Sequence, residues 1–161
     1  MKTDISVIVP FLNEEENIFS LCETLDGYAA GKPYRLEVLF VDDGSTDRSV
    51  ERLREYAFQH IQARILRLSQ NYGSHAALRA GVARAQSEYC MFFSADLQEP
   101  VELIGMLYDK IREGYDLVGV QKGEVQIGTF EKLFSRMYAR LIQKHAVAKF
   151  PKGGINNVMF N

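Results

Sequence analysis

Short apolar runs alternate along this chain with longer segments of mixed apolar and polar residues. The runs cover residues 5–9, 36–41, 64–68, 89–93 and 117–120, and their β-branched and aromatic residues predict five strands. Helical spacing of apolar residues predicts helices near 13–28, 47–59, 71–86 and 100–114. This alternation predicts an α/β fold with a mostly parallel, Rossmann-like central sheet and helices on both faces.

Polar residues suggest where the first and fourth of these helices begin. Asn13 is predicted to cap the first helix, because Asn is a favoured N-cap and Glu16 follows three residues later. Pro100 suits the first turn of the fourth helix, where its missing N–H costs nothing.

Oxygen-bearing side chains follow the fourth predicted strand at alternate positions, as Ser94, Asp96 and Gln98. In an extended backbone residues two apart point the same way, so these three are predicted to line one face. Such oxygens are hard ligands suited to Mg²⁺ or Mn²⁺, which bind through one or two carboxylates and substrate phosphates. The alternative is a structural one, in which Asp96 only caps the next helix.

Asp42 and Asp43 follow the second predicted strand, directly before Gly44. Open parallel sheets bind ligands beyond the carboxyl ends of their strands, so this pair predicts a polar ligand site. The segment that opens the third helix, from Asn71 to Gly73, is a candidate ligand loop for the same reason. No turn carries a Gly-rich phosphate-binding motif, so a metal ion would contribute more to the binding of a diphosphate, and Asp96 is the first candidate ligand.

Composition and charge narrow the function further. A chain of 161 residues with a net charge of −2 predicts one globular domain and no general nucleic-acid binding. Cys22 and Cys90 lie in apolar patterns and are predicted to be core residues in a reducing, cytoplasmic compartment. No apolar run approaches the length of a membrane span, and no signal peptide is recognised.

Residues 121–161 are basic, whereas residues 1–120 are acidic. Residues 121–128 predict a loop, and 129–144 predict a helix with Lys132, Arg136, Arg140 and Lys144 on one side. This side is either a solvated face or a surface for a lipid phosphate and the inner face of the membrane.

Four segments taken together resemble family 2 glycosyltransferases, and within them the dolichol-phosphate mannose synthase and bactoprenol glucosyltransferase branch. They are Val-Ile-Val-Pro-Phe-Leu-Asn-Glu-Glu at 7–15, Val-Asp-Asp-Gly-Ser-Thr-Asp at 41–47, Asn-Tyr-Gly at 71–73 and Ser-Ala-Asp-Leu-Gln-Glu-Pro at 94–100. The resemblance covers residues 4–120 and implies a GT-A fold. It also implies inverting, metal-dependent transfer of a sugar from a UDP- or GDP-linked donor to an acceptor, here a polyprenyl phosphate.

The resemblance assigns roles position by position. It puts the nucleotide base and ribose near Pro10, Asn13, Glu14, Asp42 and Asp43, beside the candidate loop of Asn71 and Gly73. Asp96 is the implied catalytic residue and, with Gln98 and Ser94, the implied ligand set for Mg²⁺ or Mn²⁺. Lys122, Arg136 and Arg140 are expected on the acceptor side. The single domain 1–161 would thus divide into a nucleotide-sugar part, 1–120, and an incomplete acceptor part, 121–161, excised from a longer protein.

Two departures from the family pattern keep other interpretations open. Ser94 stands where the family commonly has an Asp, and this is the best evidence for the alternative of a non-catalytic module that binds nucleotide sugars or a protein partner. The loop at Lys122 lacks the arginine pair usual in this branch, so a saccharide hydroxyl is the alternative acceptor. A nucleotidyltransferase would show a Gly-rich basic loop after the first strand, and residues 11–15 do not fit one. Self-association into a homo-oligomer also stays open.

Overall fold

The computed structural model describes residues 3–121 and 155–161. Within them the strands are β1 Ile5–Phe11, β2 Leu36–Asp42, β3 Gln62–Arg67, β4 Tyr89–Phe92, β5 Leu117–Gln121 and β6 Ile155–Phe160. The helices are α1 Ile18–Ala29, α2 Ser49–Glu55, α3 Ser74–Val82 and α4 Leu103–Ile111. Every strand predicted from the apolar runs is present, and β6 is an additional strand. The predicted helix at 129–144 lies outside the described residues.

The six strands form one sheet in the order β3-β2-β1-β4-β6-β5. β1 lies between β2 and β4 and is parallel to both, and β2 is parallel to β3. β6 runs antiparallel to β4, with Cys90 opposite Phe160 and Met91 opposite Met159. The chain therefore moves outward from β1 through β2 to β3 and returns to the other side of β1 as β4. Ligands of open α/β sheets bind at such a reversal, beside the carboxyl ends of the two strands.

The central strands β1 and β2 are buried on both faces of the sheet, as their continuous apolar runs predict. Every residue of β2 is buried, and Phe40 packs its ring 5.8 Å from Phe58 on one face. On the other face α3 approaches closely, because Gly81 has no side chain: a Cβ there would overlap Ile8 and lie 3.3 Å from Val41 Cγ2.

Both cysteines belong to this core, as predicted. Cys22 and Cys90 are free thiols and are buried. Burial raises the pKa of Cys22 to about 12, with smaller contributions from Asp26 and Glu23, and burial also raises the pKa of Cys90. Both therefore stay protonated and pack as small apolar residues.

Two buried carboxylates hold the edge of the sheet at which the parallel strands begin. Glu37 is fully buried and binds the Ser6 hydroxyl at 2.5 Å, the Gln86 amide at 3.1 Å and Arg64 Nη1 at 2.6 Å. Asp26, near the end of α1, accepts from the backbone amides of residues 59–61 at 2.9–3.2 Å. Each carboxylate thus joins segments that are far apart in sequence.

Such long-range bonds explain why three predicted helix boundaries are wrong. α1 begins at Ile18 after an N-cap at Asn17, because the side chain of Asn13 binds Thr46 instead of capping a helix. α2 ends at Glu55 rather than near residue 59, since the next segment donates its amides to Asp26. α3 ends at Val82 rather than near residue 86, where the backbone donates to Glu37.

The chain divides into two compact units, one of Met1–Val118 with Met159–Asn161 and one of Gly119–Val158. The first contains α1–α4, β1–β4 and the loops described below. Of the second, the structure describes residues 119–121 and 155–158. Within the predicted acceptor part, 121–161, the described residues 155–160 form strand β6.

Candidate functional site

The loops that follow β1, β2 and β3 and the turn that follows β4 meet the conditions for a ligand site. All four lie at the carboxyl ends of parallel strands, and β1 and β4 flank the point where the strand order reverses. The candidate site residues of the described part are at this edge of the sheet. The β-strand order therefore brings together segments that the sequence separates.

The loop after β1 and the loop after β2 are joined by reciprocal hydrogen bonds. The amide of Asn13 donates to Ser45 Oγ at 2.9 Å, and the amide of Thr46 donates to Asn13 Oδ1 at 2.9 Å. One residue on, the amide of Glu14 donates to Ser49 Oγ at 2.8 Å. Asn13 has φ 54°, in the left-handed region that Asn tolerates, so it forms this bridge at low cost.

The same pattern continues through Glu15 and Asp47. The amide of Glu15 donates to Asp47 Oδ2 at 3.1 Å, and the carboxylate of Glu15 accepts from the Arg48 amide at 2.9 Å. Asp47 Oδ1 also accepts from the hydroxyl and amide of Ser49, at 2.6 and 3.0 Å. Burial alone would raise the pKa of Asp47, but these hydrogen bonds from Ser49 and Glu15 hold it below its ordinary value. The two loops are thus held together before any ligand binds.

Asp42 is fully buried at the end of β2 and contacts an arginine that the sequence did not single out. Its Oδ1 accepts from the Ser45 amide at 2.8 Å, and Arg67 Nε lies 3.0 Å from its Oδ2. That second contact is electrostatic rather than a well-aligned hydrogen bond, so Oδ2 has no hydrogen-bond donor among the described residues. Arg67 is half-exposed and also donates to the Ser45 carbonyl at 3.0 Å.

Asp43 holds the third loop. Its two carboxylate oxygens accept from the backbone amides of Tyr72 and Gly73, both at 2.8 Å, and its side chain is buried. Gly44, at φ 82°, lets this loop approach: a Cβ there would lie 2.6 Å from the carbonyl carbon of Gln70. Asp43 therefore positions the loop that carries Asn71 and Gly73, and its contact with the nucleotide stays a prediction.

The segment after β4 turns where an extended continuation was predicted. β4 ends at Phe92, and Leu97 has φ 54°, so the alternation that should line up Ser94, Asp96 and Gln98 is broken. The prediction of one extended face is therefore wrong. Asp96 is exposed, and among the described residues its only hydrogen-bond donor is the Gln98 amide, 3.2 Å from Oδ1. Gln98 is also exposed, and Ser94 is partly buried.

Some of the remaining predicted site residues lie in the described part of the chain, and others lie outside it. Pro10 is partly buried inside β1, opposite Val41, and Asn71 is exposed and accepts from the Gly73 amide at 3.0 Å. Lys122, Arg136 and Arg140, expected on the acceptor side, lie outside the described residues, as do Lys132 and Lys144.

Two features are absent from the described part of the chain. Residues 3–121 and 155–161 contain no cluster of three or more His, Cys, Asp or Glu side chains that could hold a metal. None of the helices in that part has the length and apolarity needed to cross a bilayer.

The sequence analysis did not identify the residues that hold the loops of the site together. The loops are held by Arg67, Ser45, Asp47 and Ser49. The sequence signal for this role was the dense run of Ser, Thr and Asp after β2, because these side chains readily bind nearby backbone amides. Glu99 was also missed: its Oε2 is buried and has no hydrogen-bond donor among the described residues.

The comparisons with known proteins agree with this geometry. The profile described as Glycosyl transferase family 2 matches residues 6–158, and the chain belongs to this family. Undecaprenyl-phosphate 4-deoxy-4-formamido-L-arabinose transferase of Klebsiella pneumoniae (strain 342) is 37% identical over 143 residues, which cover 87% of this chain and 43% of that protein. The chain thus spans a little under half the length of this curated relative.

Two solved structures share the fold. S. aureus TarS, residues 1–349 in complex with UDP-GlcNAc, superposes with a TM-score of 0.63 at 26% identity, covering 78% of this chain and 36% of that one. Glucosyl-3-phosphoglycerate synthase of Mycobacterium tuberculosis, in complex with Mn²⁺, UDP and glucosyl-3-phosphoglycerate, gives a TM-score of 0.68 at 20% identity over 99% of this chain and 57% of that one. The predicted family and the predicted GT-A fold are therefore confirmed.

Proposed function

We propose that this chain is a catalytic domain of a metal-dependent, inverting glycosyltransferase whose acceptor is a polyprenyl phosphate. The observation that carries the proposal is the strand-end site of a family 2 sheet, with buried Asp42 and Asp43 on one side of the reversal and exposed Asp96 on the other. Loops already held together by hydrogen bonds would bind a donor without a large cost of ordering.

The donor is a nucleotide-diphosphate sugar, linked to UDP or GDP. TarS, at 26% identity, is solved with UDP-GlcNAc. In this chain Pro10, Asn13 and Glu14 lie on the β1 side of the reversal and Asp42 on the β2 side, around the expected position of the base and ribose. The half-exposed Arg67, held by Asp42, adds a cation at this edge.

A divalent metal ion fits the residues at the turn after β4. Asp96 is exposed and keeps one carboxylate oxygen without a hydrogen bond in the described part of the chain, and Gln98 and Ser94 add an amide and a hydroxyl oxygen within the same turn. This oxygen set suits Mg²⁺ or Mn²⁺ completed by diphosphate oxygens and water. When bound, the metal supplies charge neutralisation for the leaving diphosphate. Asp96 would hold it, and Ser94 makes the site one carboxylate poorer than the family pattern.

The acceptor follows from the curated relative, which is named for undecaprenyl phosphate. A phosphate acceptor is already anionic, so its oxygen could attack the anomeric carbon without a general base. Attack on the face opposite the leaving diphosphate would invert the configuration. Lys122, Arg136 and Arg140 remain the predicted acceptor-side residues, and the reaction would take place at the cytoplasmic face of the membrane.

Transfer from UDP-sugars with added Mn²⁺ to a polyprenyl phosphate in detergent tests the proposal. We expect labelled lipid in the presence of metal, none after chelation, and at least a hundredfold less with Asp96→Asn at an unchanged melting temperature. A protein that binds UDP-sugar but neither transfers nor hydrolyses it would instead be a binding module, the alternative that Ser94 favours. Transfer to a saccharide hydroxyl and not to lipid would refute the acceptor alone.

A further inference from the structure

A groove of about 560 Å³ lies beside α3, outside the loops described above. Its walls are Leu78 and Val82 of α3, the C-cap residue Ala83, and Phe92 at the end of β4, with His75 and Arg79 also lining it. These α3 residues recur at spacings of three and four, so they form one side of the helix. Ala77 and Gly81 form a different side, which packs on the sheet.

The groove exists because α3 covers only part of its face of the sheet. α3 packs over β1 and β2, at Ile8 and Val41, and leaves Phe92 of β4 partly exposed at its flank. Phe160 of β6 continues this apolar surface, with its ring 5.6 Å from that of Phe92. Val82 is 36% exposed, so an apolar helix face and an apolar sheet face both meet solvent here.

One end of the groove adjoins the candidate site. His75 is in the first turn of α3, directly after the loop held by Asp43, and Phe92 is the last residue of β4, just before the Ser94–Gln98 turn. Ala83 lies at the other end of α3, toward the edge where the strands begin. Nine helical residues span about 13 Å, so the groove runs that far from the strand ends along the helix.

The lining is apolar apart from His75 and Arg79, and it contains no acidic residue. The side chains of His75 and Arg79 are exposed, lie one turn apart, and form no hydrogen bond or ion pair with another described residue. An arginine with free donors binds a phosphate well. The lining therefore complements a molecule that joins an apolar chain to an anionic head.

We propose that this groove holds the isoprenoid units next to the phosphate of the lipid acceptor, with the phosphate toward His75 and Arg79. The inference rests on the proposed function, because it assigns a binding surface to the acceptor of that reaction. The apolar chain would cover Leu78, Val82 and Phe92, and the phosphate would face the strand ends where the donor is expected.

Binding of geranylgeranyl phosphate, geranylgeraniol and inorganic phosphate, measured by calorimetry below the micelle concentration, tests this assignment. Val82→Asp places a charge in the apolar lining and should weaken geranylgeranyl phosphate binding at least tenfold. Arg79→Gln should remove most of the preference for the phosphate over the alcohol. Met106→Asp is the matched control, because Met106 is a 65% exposed apolar residue on α4, away from the groove, and its variant should bind lipid like the wild type.

Three results would overturn the assignment. The first is lipid binding that Val82→Asp leaves unchanged at an unchanged melting temperature. The second is equal binding of inorganic phosphate and geranylgeranyl phosphate, which would mean a phosphate site without a chain site. The third is an effect of Val82→Asp on self-association but not on lipid, which would mean that a second copy covers the groove.

The transfer assay distinguishes a wrong groove assignment from a wrong proposed function. If the wild type glycosylates polyprenyl phosphate and Val82→Asp does so with the same KM for lipid, the groove assignment alone is wrong. If the wild type hydrolyses UDP-sugar but gives no lipid product and binds no geranylgeranyl phosphate, the acceptor class is wrong, and the groove assignment falls with it.

Discussion

Replacing Asp43 by asparagine tests whether this acid positions a loop or faces the nucleotide. Its two oxygens accept the amides of Tyr72 and Gly73, both at 2.8 Å, and the side chain is only 4% exposed. Asparagine keeps the shape and one acceptor oxygen, but it turns an NH₂ group toward the second amide. One charge-assisted hydrogen bond is lost, the other is weakened, and one donor is left facing a donor.

The expected cost is about 2–3 kcal/mol, since hydrogen bonds to charged groups contribute about 1.5–3 kcal/mol and a stranded buried donor adds to the loss. For a protein of this size, that corresponds to a melting temperature lower by about 5–10 °C. The loop of Asn71 and Gly73 would lose its anchor, so the affinity for UDP should fall as well. Differential scanning fluorimetry and calorimetry with UDP measure the two effects.

Asp26→Asn is the matched control. Asp26 is also 4% exposed and also binds backbone amides, those of residues 59–61, but at the opposite edge of the sheet. The Asp26→Asn variant should lower the melting temperature by a similar amount and leave the affinity for UDP unchanged. If Asp43→Asn keeps the wild-type melting temperature and still loses UDP, Asp43 serves the ligand directly and the positioning argument is wrong.

Three further predictions concern the same edge. Ser94→Asp should tighten Mn²⁺ binding by about tenfold, because it adds a carboxylate to a set that has one; an unchanged dissociation constant removes residue 94 from the site. Gly44→Ala should lower the melting temperature by several degrees and weaken UDP binding, since φ is 82° and the new Cβ would meet Gln70; a wild-type melting curve contradicts this. The lowered pKa of Asp47 means a stabilising contribution that is fully present above about pH 4, the ordinary Asp range, and is lost as pH falls through the folded-state value. Asp47→Asn should therefore show a flatter fall of melting temperature below about pH 4 than the wild type, and parallel curves would argue against it.

The strands were predictable because their signal is local. In β1 and β2 nearly every residue is apolar and buried, so the composition of each short run is sufficient to identify a strand between two others. The family motifs added the positions of the strand ends, and with them the edge of the sheet where the site lies.

The helix boundaries were not predictable because distant partners decide them. Asn13 has the propensity of an N-cap, but Thr46 and Ser45 offer its side chain and amide better partners across the loops. Nothing within a window around Gln59 or Gln86 indicates that its amide will donate to Asp26 or Glu37. Local propensity differs by tenths of a kcal/mol between such boundaries, so one long-range hydrogen bond outweighs it.

In the candidate site, the residue types were predictable from the sequence, but the role of each residue was not. The acids at 42, 43 and 96 were identified from the sequence, and the structure places all three at the reversal edge. Their separate tasks depend on contacts that only the fold creates: Arg67 beside Asp42, two amides on Asp43, and an exposed turn around Asp96. Strand β6 was missed because Asn156 and Asn157 are unfavourable in strands, and its pairing with β4 bridges a long stretch of chain.

The place of β6 has a consequence for how the protein is made. Phe160 and Met159 pair with Cys90 and Met91, so β4 has a neighbour on only one side until residue 160 has left the ribosome. A nascent chain that already contains β1–β4 would present an unpaired strand edge, which is a template for association with other chains. Closing a contact of such high sequence separation is also slow. Synthesis is therefore a stage at which this domain is exposed to aggregation.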